Sequence, residues 1–325
     1  MRSSKSFLLL IIILFACGNS DDDPIIQDIP FVNQNSTFEV LTQTDLVYAE
    51  GLSHQGLNST AAEVIELKLD VYQPINDDTN RPAFVFTHGG GFSGGSKQQA
   101  QIIEIAQFFA ARGWVFFSID YRLLGDIGTV PQEWIDYIPF VQATDANQFL
   151  SIYPAIRDAK AAMRWVVAHS ADFGINTDYL TVGGGSAGAV TAIALGITEA
   201  SDFRDEIPND PTLSTTNLET AYEVKTIIDF WGSGVAVEII DIIYGQNRFD
   251  ANDPPLLIAH GTADPTVLYE EALSLKDTYE NLGIPLAFYP FEGAGHGVWN
   301  QTVDGKRLED LAFDFIVEQQ SLMVK

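Results

Sequence analysis

Two early stretches of the chain alternate apolar and polar residues, and short continuous apolar runs follow them. Residues 38–49 and 64–72 alternate with a period of two, which is typical of antiparallel strands with one face in water. The later runs are apolar throughout and predict fully buried strands. They occupy residues 83–87, 115–120, 180–182, 226–230, 256–259 and 286–291.

Helical spacing of apolar residues appears between these runs. It predicts helices over residues 98–112, 156–169 and 267–282. Two further helices are expected to begin directly after Ser186 and at about residue 306. Two antiparallel strands followed by repeated strand–helix units predict an α/β fold. We expect a mostly parallel eight-stranded sheet with helices on both faces, antiparallel first strands and no large cap domain. In such sheets the chemistry lies on loops at the carboxyl ends of the strands.

Two stretches show no clear period. Residues 125–151 hold several aromatic side chains, and this composition fits both the wall of a substrate cleft and a packed surface loop. Both interpretations remain open at this point. Residues 201–221 form a second, more polar excursion.

The first residues have the pattern of a targeting segment. An apolar run over residues 7–16 follows Arg2 and Lys5, and it is too short to cross a bilayer, which favours a secretory signal. The run ends Leu-Phe-Ala-Cys at residues 14–17, which resembles the lipobox of bacterial lipoproteins. This resemblance implies that residues 1–16 are removed as a signal peptide and that Cys17 carries lipid, including palmitate. Ordinary secretion is the alternative.

An acidic segment follows this cysteine. Ser20 and the aspartates at 21–23 are similar to the surface-export signal of Bacteroidetes lipoproteins, although a solvated acidic spacer also fits. The resemblance implies an outer-membrane lipoprotein exposed on the cell surface, with the periplasmic face as the alternative. We expect residues 17–36 to form an acidic flexible tether and residues 37–325 to form the single α/β domain.

The charge balance narrows the possible partners. The formal net charge is −27, from 17 basic and 44 acidic residues. Nucleic-acid binding needs clustered Lys and Arg, so this composition argues against a nucleic-acid partner. We expect a neutral or apolar substrate rather than a polyanion.

A candidate nucleophile lies in residues 184–188, which read Gly-Gly-Ser-Ala-Gly between a predicted buried strand and a predicted helix. This G-x-S-x-G pattern is typical of a turn so sharp that only glycine fits two residues either side, at Gly184 and Gly188. The turn would expose the Ser186 hydroxyl above the sheet. A simple glycine-lined turn is the alternative, whereas a phosphate loop is disfavoured because no Lys follows.

A second glycine-rich turn follows the predicted strand at 83–87. Residues 88–92 read His-Gly-Gly-Gly-Phe, and this turn together with residues 184–188 resembles the α/β-hydrolase superfamily, nearest its carboxylesterase and hormone-sensitive-lipase-like branches. The resemblance covers roughly residues 60–320. It implies an oxyanion hole formed by the N–H groups of Gly90, Gly91 and Ala187, with no cofactor and no metal.

One residue departs from these branches. The residue before the nucleophile is usually acidic in them, but here it is Gly185. This departure weakens the assignment to either branch and leaves the expected mechanism unchanged.

The general base is sought among five histidines, and the fold's chain order is Ser, then acid, then His. Only His296 lies in a glycine-rich loop after the last predicted strand. Asp264, in a turn that resembles the family's Asp-x-x-Val turn, is the expected acid. Asp229, at the end of the preceding strand, is the alternative.

These residues predict a serine carboxylesterase that hydrolyses short-chain acyl or aryl esters through an acyl-enzyme. The alternatives are an acetyl or feruloyl esterase acting on glycans, a serine peptidase of the same fold, or a catalytically idle surface binding protein. Several aromatic residues lie close to these motifs in the sequence, and they are Phe92, Tyr121, Trp231 and Trp299. They could line a substrate pocket or take part in ordinary packing, and the sequence supports both interpretations equally.

Overall fold

The computed structural model describes residues 28–143, 145–204 and 210–325. Eight of its strands form one sheet, and two short strands form a second. The strands are β1 Phe31–Val32, β2 Val40–His54, β3 Ala62–Pro74, β4 Arg81–Thr87, β5 Val115–Ile119, β6 Ile175–Gly185, β7 Thr226–Phe230, β8 Leu256–Gly261, β9 Leu286–Phe291 and β10 Met323–Val324.

The large sheet has the order β2-β3-β5-β4-β6-β7-β8-β9. The pairs β2/β3 and β3/β5 are antiparallel, and every later pair is parallel. The predicted mostly parallel eight-stranded sheet with antiparallel first strands is therefore confirmed. The central strand β4 is buried along its whole length, as its continuous apolar sequence predicts.

Helices cover both faces of this sheet. They are α1 Ala100–Ala110, α2 Gln132–Tyr137, α3 Ala146–Ala168, α4 Ser170–Phe173, α5 Ala187–Ile197, α6 Val235–Tyr244, α7 Tyr269–Leu282 and α8 Leu308–Gln319. Alternate residues of the strands point to opposite faces, so each face has its own core. Val85 of β4 packs in the core with α3, α5 and α7, whereas Phe84 packs in the core with α1 and α8.

The expected boundary at residue 36 is wrong. Phe31–Val32 pairs in parallel with Met323–Val324, and Val32 is fully buried, so this part of the expected tether belongs to the folded body. Burying Val32 removes apolar surface from water, which stabilises this attachment. The expected signal peptide at 1–16, the lipid-bearing Cys17 and the tether as far as residue 27 lie outside the described residues.

Two helices differ from their predictions. Helix α3 begins ten residues before the predicted start at 156 and contains Pro154. Proline usually marks a helix boundary because it has no N–H to donate, which hid the first turns. Helix α6 was not predicted, since its sequence is rich in Val and Ile, which are typical of strands. No helix in the described ranges is long and apolar enough to cross a membrane.

Candidate active site

Ser186 lies at the turn between β6 and α5. Its backbone has φ 57° and ψ −124°, a conformation that is costly for a residue with a side chain. The Ser186 N–H donates to the Phe230 carbonyl at 2.9 Å, which fastens the turn to the end of β7. A strained serine held at the carboxyl edge of a parallel sheet is the geometry that the G-x-S-x-G pattern predicts.

The two flanking glycines are required by close backbone contacts. A Cβ on Gly184 would lie 2.2 Å from the carbonyl carbon of Gly188. A Cβ on Gly188 would lie 2.0 Å from the carbonyl oxygen of Thr87, at the end of β4. No side chain fits at either distance, so both glycines are needed for the turn to pack on the sheet.

His296 and Asp264 meet Ser186 across the edge of the sheet. The Nε2 atom of His296 lies 2.9 Å from Oγ of Ser186, and its Nδ1 atom lies 2.8 Å from Oδ2 of Asp264. Asp264 follows β8 and His296 lies in the loop after β9. The structure therefore brings together the serine, acid and histidine that the chain order predicts, in a continuous line of hydrogen bonds.

The carboxylate of Asp264 is fixed by its own turn. Its Oδ1 atom accepts hydrogen bonds from the N–H groups of Thr266 at 2.8 Å and Val267 at 3.1 Å. His260 packs behind it, with Nε2 at 2.9 Å from the Val267 carbonyl and 3.5 Å from Oδ2 of Asp264. Burial lowers the pKa of His260, which favours its neutral form. Asp264 thus has one oxygen held by the backbone and one directed at His296.

Asp229, the alternative acid, has different partners. It is fully buried at the end of β7, and its Oδ1 atom accepts a hydrogen bond from the Gly232 N–H at 2.6 Å. Its Oδ2 atom has no hydrogen-bond partner in the described part of the chain. Burial raises the pKa of Asp229 to about 7, although the Gly232 N–H opposes this shift. The geometry therefore favours Asp264 over Asp229 as the partner of His296.

The glycine turn after β4 lies beside the serine. A Cβ on Gly89 would lie 3.2 Å from Cβ of Ser186. Gly90 and Gly91 have φ values of +122° and +60°, which glycine adopts without strain. Within the described residues, the N–H groups of Gly90, Gly91 and Ala187 make no hydrogen bond to the protein, so they are free to donate to a substrate. Ala187 also begins α5, whose N-terminus carries partial positive charge.

His88 braces this turn rather than facing the serine. Its Nδ1 atom lies 2.7 Å from the Gly89 carbonyl, and its ring stacks on Tyr121 with 4.4 Å between centroids. The Tyr121 hydroxyl donates to the His88 carbonyl at 3.0 Å. Burial lowers the pKa of His88, which favours the neutral ring.

Ser186 opens into a cavity of about 820 Å³. Three of the four expected aromatic residues, Phe92, Trp231 and Trp299, line this cavity. Tyr121 has the packing role that was the alternative: it is buried against His88 and Phe92 and does not line the cavity. Tyr121 follows a strand end close to the motifs in sequence, but its ring supports the glycine turn from behind.

The excursion at 125–151 has both of the roles left open above. Gln148 and Phe149 line the cavity, while Trp134 is fully buried against Phe149 and Tyr153. Several other wall residues carry no motif or spacing that marks them in the sequence, and these are Ser233, Glu238, Ile239, Leu268 and Glu271. Ser233, Glu238 and Ile239 lie in or just before α6, which the sequence did not predict. Among the described residues, no group of three or more His, Cys, Asp or Glu side chains is arranged to hold a metal ion.

The fold and the hydrogen-bonded Ser, His and Asp side chains define an α/β-hydrolase. The chain belongs to the prolyl oligopeptidase family, whose sequence pattern matches residues 100–321. The match begins after the glycine turn at 88–92. The fold predicted from the sequence is therefore confirmed.

Solved structures of an esterase resemble this chain over most of its length. The propionate-bound structure of Est2, a thermophilic esterase from Thermogutta terrifontis, is 26% identical, has a TM-score of 0.59 and is matched over 87% of this chain and 94% of its own. The same esterase phosphorylated by paraoxon is 26% identical with a TM-score of 0.57, over 83% of this chain and 94% of its own.

A curated relative is also named as an esterase. Esterase LipC of Mycobacterium tuberculosis is 26% identical over 74% of this chain and 58% of its own length. A second relative is the probable carboxylic ester hydrolase LipM of the same organism, and the match covers 48% of its length. The chain thus spans about half of the length of the curated relatives it matches.

Proposed function

We propose that this protein is a serine carboxylesterase that hydrolyses short-chain acyl or aryl esters. The observation that carries the proposal is the line of hydrogen bonds from Asp264 through His296 to Ser186, at 2.8 Å and 2.9 Å. Esters fit this site because the serine needs an activating base and the developing oxyanion needs donors, and both surround one point. The similarity to Est2 and LipC supports the same reaction class.

In the proposed reaction His296 removes the proton of Ser186 as its Oγ attacks the ester carbonyl. The free N–H groups of Gly90, Gly91 and Ala187 stabilise the oxyanion, each contributing on the order of 10²–10³ in rate. His296, oriented by Asp264, then protonates the leaving alcohol. Water, activated by the same histidine, releases the acid from Ser186 and restores the free enzyme.

A panel of nitrophenyl esters with increasing acyl length tests this function. We expect the wild-type protein to cleave acetyl and butyryl esters faster than long-chain esters, and we expect Ser186→Ala to lose at least about 10⁴ in kcat. Acetylated and feruloylated polysaccharides belong in the same panel, because they distinguish a glycan esterase from an esterase acting on small molecules. Turnover by Ser186→Ala at the wild-type rate would contradict the proposal.

Peptide hydrolysis is the second candidate, and the match to the prolyl oligopeptidase family favours it. The same serine and histidine would attack an amide carbonyl. Matched substrates that differ only in an ester or amide bond, with the same acyl group and the same chromophore, separate the two. A higher kcat/KM for the amide would replace the esterase proposal with a peptidase.

We also propose that the protein is attached to the outer membrane through lipid on Cys17 and is exposed on the cell surface. The residues that support this lie at 14–23, where a cysteine follows an apolar run and precedes an acidic triplet. The folded body begins by residue 31, so the spacer between Cys17 and β1 is about 13 residues long.

A further inference from the structure

Three carboxylates line the cavity above Ser186, and none of the Lys or Arg side chains that the structure describes lines it. Asp145 precedes α3, Glu238 lies on α6 and Glu271 lies on α7. Within the described chain, none of the three forms a salt bridge or donates to or accepts a side-chain hydrogen bond. The wall around the candidate nucleophile therefore holds negative charge that the protein itself does not neutralise.

The charges of Glu238 and Glu271 interact with each other, and the side chain of Glu238 is exposed while that of Glu271 is half-buried. Burial is the first cause that raises the pKa of Glu238, and the charge of Glu271 raises it further. Two carboxylates of like charge repel each other, and water and salt screen this repulsion where they are exposed. A positively charged ligand in the cavity would be attracted by both.

A buried polar group in the same wall also lacks a partner. Ser233 is only 5% exposed, lines the cavity, and its hydroxyl makes no hydrogen bond to any residue that the structure describes. The Ser233 hydroxyl is open to the cavity, where it can accept a hydrogen bond from a ligand N–H. The indoles of Trp231 and Trp299 add aromatic faces, which attract cations.

We propose that the natural ester carries an ammonium group, which Glu238 and Glu271 attract and which the Ser233 hydroxyl contacts while Ser186 attacks the ester. This inference rests on the proposed esterase function and names the substrate class of the same site. It replaces the expectation of a neutral or apolar substrate. The net charge of −27 would further raise the local concentration of cationic substrates.

Two pairs of esters with matched shapes test the inference. Ethyl 6-aminohexanoate and ethyl heptanoate differ in a terminal ammonium or methyl group on the acyl side. Acetylcholine and 3,3-dimethylbutyl acetate differ in a quaternary nitrogen or carbon on the alcohol side. We expect kcat/KM to favour the cationic member of at least one pair by about tenfold at low salt, and this ratio to fall as ionic strength rises.

Substitutions in the cavity wall test which residues cause the preference for cationic esters. In the double variant Glu238→Gln/Glu271→Gln the cationic-to-neutral ratio should fall toward one, and Ser233→Ala should lower it for the primary ammonium. Glu270→Gln is the control for the single variant Glu271→Gln, because each removes one charge from the same helix but Glu270 lies outside the cavity wall. The control should keep the wild-type ratio.

The outcomes separate the two proposals. Equal kcat/KM within both pairs, or an equal loss of preference in the control, would overturn the ammonium inference and leave the esterase proposal standing. Absence of turnover for all four esters would contradict the esterase proposal. Binding of the four compounds, followed by tryptophan fluorescence, would then decide the inference: tighter binding of the cationic members supports it, and equal binding overturns it.

Discussion

Gly185 lies directly against the indole of Trp231. A Cβ at residue 185 would be 3.1 Å from Cζ2 of Trp231 and 3.4 Å from Cζ2 of Trp299. These two rings meet edge to face with 4.7 Å between centroids. A side chain at residue 185 would therefore press against aromatic rings from the loops after β7 and β9.

An acidic residue at this position should disturb the cavity wall. We expect Gly185→Asp to lower the free energy of unfolding by about 1–3 kcal/mol, because the new side chain displaces packed rings. Thermal unfolding measures the loss. Gly125→Ala is the control, since a Cβ there meets no atom within 4 Å. If crowding is the cause, the cost should shrink in a Trp231→Phe background; an unchanged cost would contradict it.

The choice between two aspartates can be tested by activity. Asp264→Asn should lower kcat by about 10⁴, because the amide no longer holds His296 in the required tautomer. Asp229→Asn should retain most of the wild-type rate, since Asp229 bonds to the Gly232 N–H instead. Rates with a nitrophenyl acetate substrate are sufficient. The reverse order of effects would make Asp229 the acid.

Asp229 should also make stability depend on pH. Its pKa is about 7 in the folded protein against an ordinary value of 3.8, so the folded state holds a proton that the unfolded chain releases. Stability is therefore lost as pH rises from about 4 to about 7. Between pH 5 and pH 8 we expect the wild type to lose roughly 2–3 kcal/mol more than Asp229→Asn. Denaturant unfolding at both pH values measures this, and equal losses would contradict it.

The anchoring proposal predicts a change of compartment. Cys17→Ser should abolish incorporation of labelled palmitate and release the protein from the membrane fraction, because no other cysteine exists in the chain. A signal that ends in ordinary secretion would leave the wild type unlabelled and soluble. Protease treatment of intact cells, with an outer-membrane-permeabilised control, tests surface exposure separately.

Local sequence rules predicted the parallel part of the sheet well because most of its strands contain continuous apolar runs. β7 and β9 begin and end at the predicted residues. The rules failed where tertiary contacts override local preference. Val and Ile in α6 are typical of strands, yet Val237 and Ile240 form a helix because both are buried against the other helices and the sheet.

The candidate site shows the same division. Chain order and glycine patterns predicted the contact of Ser186, His296 and Asp264, although 110 residues separate the serine from the histidine. The cavity wall could not be predicted, because Ser233, Glu238 and Glu271 come from elements whose packing alone brings them to one surface. No spacing rule connects such residues, so the composition of this wall is visible only in the structure.

Labelling with a fluorophosphonate tests the central claim most directly, because the reagent reacts only with a serine that a neighbouring base has activated. The adduct is located by peptide mass spectrometry in the wild type and in His296→Ala. We predict a single adduct on Ser186 in the wild type and a rate at least about 10³-fold lower in the variant. No adduct on Ser186, or equal rates in the two proteins, would contradict the account.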